Sequence, residues 1–566
     1  MSRKRILFRM VSVLVLLSLV ACSRTGPTAT PSKPVETVEP SSTVAAKDTA
    51  VPPTPVPPTP TPGPKYGGTL HLAWGGAISE LDPHDFIGGA TILFYTVYNR
   101  LVRVGRDGSI VPDLAKSWEV SSDGLTYTFH LFEGVKFQNV EPVNGREMTA
   151  DDVVWNLDRL LGLGEESALQ PFYAGVDKGE AVDRYTVKIV LTAPWSGFLA
   201  RLGGDHGLFI APHEAVETWG NLNEHAVGTG PFILETYGRE TGATVRRNPD
   251  YFVEGLPYLD GIRWTVIPDY AAKQAAFLAK EIDAYQPSMA QMKQWREQYP
   301  TMLFEEGIDR GLPVLVCNSR SGPLSDVRVR QAIDLAIDRK KLLDVYGVGD
   351  HIVGPIPPYA EQWALPQAEL EEMPGRRYPK DEDIAEAKRL LAEAGYPDGK
   401  GLENVGILYN GQDVQQTELA TIIQGRLEQD LGVTFEMRPA DMSALLNALV
   451  TGDYDLCAIG TDPVADPDDA LKWYDPSGYG ALFFSISPET EPELIDLMTK
   501  QRAAADVEER QQLVWEAQRV ILDRCYVIYL VNRRVYSAHW PSLHDVHGNS
   551  PGVGQFYDVI QQWLDR

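Results

Sequence analysis

With 566 residues, 43% hydrophobic and 9% aromatic, the chain is too long for one ordinary core and too apolar for wholesale disorder; roughly three to four domain-sized units are expected. A formal net charge of −27 argues against a surface that attracts nucleic-acid phosphates or anionic lipid. The four cysteines, Cys22, Cys317, Cys457 and Cys525, are widely separated with no CxxC, which argues against a cysteine zinc site or a redox motif.

The first 22 residues form a three-part signal. Arg3, Lys4, Arg5 and Arg9 make a basic head, and Val11 to Val20 is a short apolar run. That run is too short to span a bilayer comfortably, so a cleaved signal is expected. It ends in Leu19-Val20-Ala21-Cys22, which resembles a bacterial lipobox; the resemblance implies lipid on the Cys22 thiol and membrane attachment through that lipid alone. Residues 23–65 read as a disordered tether, with twelve prolines between Pro27 and Pro64 and Ser and Thr among them. Proline fixes φ and removes donors, so the stretch is expected to be polyproline-like, rising about 3.1 Å per residue. Once Cys22 is used, three cysteines remain, and the sequence does not choose a disulfide pair among them.

Globular composition begins at Tyr66. Thr69 to Leu72 starts a strand, and residues 118–137 read as a meander with a turn at Asp123-Gly124. Thr149 followed by Asp152 is a helix cap, with Val153, Leu157 and Leu160 at helical spacing behind it. Tyr185, Val187, Ile189 and Leu191 alternate as a strand. Asp326 heads a helix that buries Val329, Ile333 and Ala336. The Ile384–Ala394 helix stops at Gly395 and Pro397, and Leu494 to Leu522 reads as two more helices. The fold class is α/β without a regular repeat.

Catalytic patterns fail on context. Gly548-Asn549-Ser550-Pro551-Gly552 fits G-x-S-x-G by letter, but Pro551 and Gly552 forbid the helix a nucleophile elbow requires. His544 and His547 show no third metal ligand. The acidic run Asp462 to Asp469 lacks the glycine and terminal glutamate of a calcium loop and reads as a solvated turn. A secreted hydrolase is the remote alternative to a binding protein, and no metal or cofactor is implied.

Nine groups of residues, in order, resemble the family 5 extracellular solute-binding proteins, the peptide/nickel/opine class served by ABC importers. They are Gly67-Gly68-Thr69-Leu70; Leu81-Asp82-Pro83; Val111 to Ala115 with Ser117 to Val120; Asp123 to Phe129; Gly134 to Phe137; Thr149 to Val153; Gly228 to Phe232 with Arg247 to Phe252; Asp326 to Ala332 with Ala336 to Arg339; and Ala392 to Tyr396. Asp113, Trp118, Gly124, Arg328 and Arg330 are expected to be structural members of these motifs.

The resemblance implies a two-lobed periplasmic-binding-protein clamp (type II, cluster C-like) that closes by hinge motion. Lobe I would comprise 66–103, 196–310 and 525–566, an extra subdomain 104–195 would sit on it, and lobe II would be 311–524. The chain would be a monomer on the extracytoplasmic face of the membrane, delivering its ligand to the permease subunits of the importer. A clamp site is an apolar, aromatic-lined cleft with a few oriented polar groups. Candidates from lobe I are Trp74, Leu81 and Asp82; from lobe II they are Asn318, Thr461, Asp462, Tyr479, Phe483 and Ser485. In the family's peptide binders, the segment around 460 carries a Gly-Trp pair and an Asp for the peptide amine. Here Thr461 follows Gly460, Pro463 stands at the aspartate's place with Asp462 one position early, and Ala458 replaces a preceding Arg. Peptide is the first expectation for the ligand; a sugar, an opine-like compound or a nickel complex is the alternative.

Overall fold

The computed structural model describes residues 63–565 except 79, 85–90, 106–107, 164–166, 168, 309–310, 347–351, 412, 462–463, 465, 477–478, 533 and 547–559. The signal, Cys22, nearly all of the tether, His547 and the Gly548–Gly552 pentapeptide therefore lie outside the described residues.

The first lobe is built on a four-stranded sheet ordered Thr69–Trp74, Gly261–Val266, Gly242–Arg247 and Phe232–Gly238. Its first pair is parallel and the others antiparallel. A second four-stranded sheet carries Ala115–Val120, Thr126–Leu131, Thr186–Leu191 and Val176–Asp183, all antiparallel. One face of each inner strand is apolar: Tyr127, Phe129 and Leu131 are buried, as are Val187, Ile189 and Leu191. The Ala150–Leu160 helix covers this face with Val153, Leu157 and Leu160, and Asp152 closes its first turn by accepting the Thr149 N–H at 2.8 Å. These residues share one continuous core with Leu70, Ile262 and Trp264, so the subdomain and the first lobe have a single apolar interior.

The second lobe is organised by a five-stranded mixed sheet ordered Glu436–Ala440, Gly406–Asn410, Leu456–Gly460, Pro313–Cys317 and Val527–Tyr529. Both of its faces are covered. Leu315 and Cys317 enter one core with Ile333, Leu391 and Leu427; Val314 and Val316 enter another with Leu445, Tyr474, Leu494 and Ile521. Strand alternation makes this division, and it explains why the run Val314 to Cys317 is apolar throughout. Val527–Tyr529 pairs with Val314–Val316, so the chain leaves this sheet after Tyr529 and not at Cys525. It then returns to the first lobe, where Arg534–His539 lies between Ala284–Tyr285 and Leu303–Ile308.

Cys317, Cys457 and Cys525 are buried and free, and burial pushes the Cys317 thiol up to about 12. Arg328 pairs with Asp326 at 2.6 Å. Arg330 donates to the carbonyls of Leu324, Ser325 and Arg524 and lies over the Tyr526 ring. Both arginines are structural, as their place at a helix start implies. Among the described residues no helix is long and apolar enough to cross a membrane.

Candidate functional site

The forward crossing between lobes is pinned at Thr461. Its Oγ1 accepts the Leu312 N–H at 3.0 Å, and its own N–H donates to the Leu312 carbonyl at 2.9 Å. Gly311 is required beside it, because a Cβ there would stand 2.5 Å from the Thr461 carbonyl oxygen.

A charged seam joins the lobes farther out. The short Pro467–Leu471 helix begins with Asp466 as N-cap, and Asp468 and Asp469 occupy its first turn. Asp466 receives both terminal nitrogens of Arg510 at 2.7 and 2.8 Å. Asp468 accepts from Gln501 Nε2 at 2.6 Å and Arg502 Nε at 3.1 Å within the second lobe, and from Trp195 Nε1 at 2.6 Å across the seam. Arg201 reaches from the Phe198–Gly203 helix to Asp469 at 3.1 Å. The Ser196 N–H donates to the Arg502 carbonyl at 2.8 Å, and its hydroxyl reaches the Ala504 carbonyl. Burial pushes the Asp468 carboxyl up, but Arg502 and Arg510 overcome it and hold the group below its ordinary range. The Arg201 guanidinium and the Lys472 ammonium each lie 5.5 Å from the Phe172 ring. The acids of 466–469 are thus a buried contact between lobes; the expectation of a solvated turn is corrected.

The sequence candidates divide. Trp74 ends the first strand half-buried against the first core. Leu81 is fully buried in that core, which removes it as a ligand contact. Asp82 is also corrected: it is 2% exposed, and both its oxygens are taken by Arg159, at 2.6 and 2.7 Å. Asn318 is spent on backbone, donating to the carbonyls of Gly452 at 3.1 Å and Tyr454 at 2.7 Å. Phe483 is buried against Trp473 and Phe484. Tyr479 begins the Tyr479–Phe484 helix, and Ser485 follows it, exposed and left-handed at φ 57°. Asp462 lies outside the described residues. Sequence reasoning missed Trp195, Arg201, Arg502 and Arg510. The available signal was Asp466-Pro467 with Asp469 at the third helical position, which marks a helix start.

The pattern of the bacterial extracellular solute-binding proteins, family 5 (middle region), matches residues 109–481. The chain belongs to this family. It is 25% identical over 520 residues to the di/tripeptide-binding protein 3 of Pseudomonas aeruginosa, covering 86% of this chain and 94% of that one. Its fold is similar to the Helicobacter pylori periplasmic binding protein DppA in complex with the peptide STSA (TM-score 0.76, 25% identity, 89% and 99% of the two chains). It is also similar to the binding protein AgaA from A. tumefacien R10 in complex with agropinic acid (TM-score 0.74, 25% identity, 88% and 99%). This family 5 protein is therefore a two-lobed α/β clamp, the substrate-binding component of an ABC importer, and it works outside the cytoplasm.

Proposed function

We propose that this protein captures a peptide between its lobes, without altering it chemically, and delivers it as a monomer to the permease. A lipid on Cys22 holds it to the extracytoplasmic face of the membrane. The observation that carries the peptide reading is the likeness, over nearly the whole of both chains, to a di/tripeptide-binding protein. An opine-like solute is the second reading, favoured by an equal identity to the agropinic acid complex and by Thr461 after Gly460. Native mass spectrometry of the purified protein, weighing any ligand carried through purification, decides between them. A co-purified opine or sugar would overturn the peptide reading.

Asp462 is the proposed partner of the peptide amine. Asp466, Asp468 and Asp469 are committed to Arg510, to Arg502, Gln501 and Trp195, and to Arg201. Leaving one member of a cleft ion pair alone typically costs about 2–5 kcal/mol. Asp462→Asn should therefore weaken an amine-bearing peptide about tenfold or more by calorimetry. An acetylated version of the same peptide should lose little. Equal affinity of wild type and variant for the free-amine peptide would remove Asp462 from this role.

The anchor has its own test. Cys22→Ala should leave the protein unprocessed or release it from the membrane fraction, since the Cys22 thiol is the group that would receive the diacylglycerol. Normal processing with membrane association in that variant would end the lipid-anchor reading.

A further inference from the structure

A clamp must hold its lobes together when loaded and let them part when empty, so some contact across the seam has to set that balance. Among the described residues, the chain passes from a sheet of one lobe to a sheet of the other between Ile308 and Pro313 and again between Tyr529 and Arg534. The seam at 195–201 and 466–469 is distant from both crossings in sequence, and the contacts described for it are made by side chains or turn backbone that can part without breaking a strand. Trp195 Nε1 donates to Asp468 at 2.6 Å, Arg201 pairs with Asp469 at 3.1 Å, and the Ser196 N–H donates to the Arg502 carbonyl at 2.8 Å. Gly197 brings the surfaces this close: a Cβ there would lie 2.5 Å from Asp466 Oδ1. That oxygen cannot easily yield, because Arg510 grips both carboxylate oxygens of Asp466.

We propose that Trp195, Gly197 and Arg201 of the first lobe, closing on Asp466, Asp468 and Asp469 of the second, form the latch that sets the closed fraction of the clamp. These are positioning residues. They act on affinity through closure and do so for whatever solute is held, so the latch stands or falls independently of the peptide reading. The construction suits a reversible device. When the lobes part, Asp468 keeps Arg502 and Gln501 from its own lobe, and Asp466 keeps Arg510. Opening therefore exchanges the Trp195 and Arg201 contacts for water without stranding an unpaired buried acid.

The test reads the seam directly, in the full chain and with no added ligand. The Ser196 amide is bonded across the seam, so its hydrogen exchange reports the open fraction. Trp195→Phe removes the cross-seam N–H while leaving a ring to pack on Phe198. Gly197→Ala is a wedge, and its backbone at φ −81° accepts alanine without strain. Each variant should speed exchange at Ser196 about tenfold. The strands Thr186–Leu191 and Pro313–Cys317, interior to one lobe each, should keep wild-type protection. Unchanged exchange at Ser196 in Trp195→Phe and Gly197→Ala would overturn the latch. Equal loss of protection at Ser196 and in both strands would overturn it too, because the residues would then serve folding.

Discussion

Replacing Arg339 by methionine is expected to lower the unfolding free energy of the second lobe by about 3–5 kcal/mol. The guanidinium is fully buried at the head of the Arg339–Tyr346 helix. It donates to Asp334 Oδ1 at 2.5 Å, to the Gly375 carbonyl at 2.7 Å, and twice to the Tyr529 carbonyl, at 2.7 and 2.9 Å. Asp334 is answered also by Arg376 at 3.2 Å. Burial pushes the Asp334 carboxyl up, and the two arginines reverse this and hold it below its ordinary range. Methionine keeps much of the volume but takes both guanidinium bonds from the Tyr529 carbonyl, leaves the Gly375 carbonyl to Lys380 alone, and removes the nearer of the two arginines that compensate Asp334. Tyr529 belongs to the strand that enters this sheet last in sequence, so the damage should centre there. Urea denaturation should show a lower midpoint, and hydrogen exchange should quicken in Val527–Tyr529 and Pro313–Cys317. A midpoint within experimental error of wild type would show that the network is dispensable.

Arg339 illustrates what the sequence makes legible. The groups Asp326 to Ala332 and Ala336 to Arg339 point to the family and to a helix start, and the Val327–Ala336 helix runs where the spacing of Val329, Ile333 and Ala336 puts it. Local signals of this kind also place the Asp123-Gly124 turn, the Thr149 cap and the two helices Pro492–Ala503 and Val507–Arg524. Each depends on residues within one or two turns of one another, which is the range over which capping and periodicity act.

The site was less legible because its partners are remote in the chain. Asp82 looks like a cleft carboxylate at a strand's end, yet Arg159 reaches it from a helix 77 residues away. Asn318 looks like a ligand amide, but two carbonyls more than 130 residues later consume it. The run from Asp462 to Asp469 reads as solvated because like charges repel and the run itself holds no cation. Its cations arrive from Arg201 on one side and from Arg502 and Arg510 on the other. No periodicity encodes such pairings. What could be read was the negative half of an ion-pair network, and a charge without its partner is easily taken for surface.

Between pH 6.5 and 4, the protein is expected to lose about 3 kcal/mol of stability through His84 alone. The ring is fully buried, and its two nitrogens have opposite duties: Nε2–H donates to the Phe209 carbonyl at 2.8 Å, and Nδ1 accepts from Arg159 at 3.0 Å. A proton on Nδ1 would destroy that second bond and set an imidazolium against a guanidinium. Burial first, then Arg159, lower the pKa from 6.5 to about 4, with Asp82 and the Phe209 carbonyl opposing them. The unfolded chain takes up its proton near pH 6.5, while the folded chain refuses it until about pH 4. In that window the unfolded state holds more protons, so stability is complete above 6.5 and drains as pH falls. The loss should weaken the tie between Asp82 and the Ala150–Leu160 helix, because Arg159 serves His84 and Asp82 at once. His84→Asn removes the titration while retaining an acceptor for Arg159. Urea midpoints measured in steps from pH 7 to 4.5 should fall more steeply in the wild type than in this variant, whatever their offset at pH 7. Parallel slopes would mean that His84 accepts its proton in the folded protein without penalty, and that the Arg159 bond does not fix its charge.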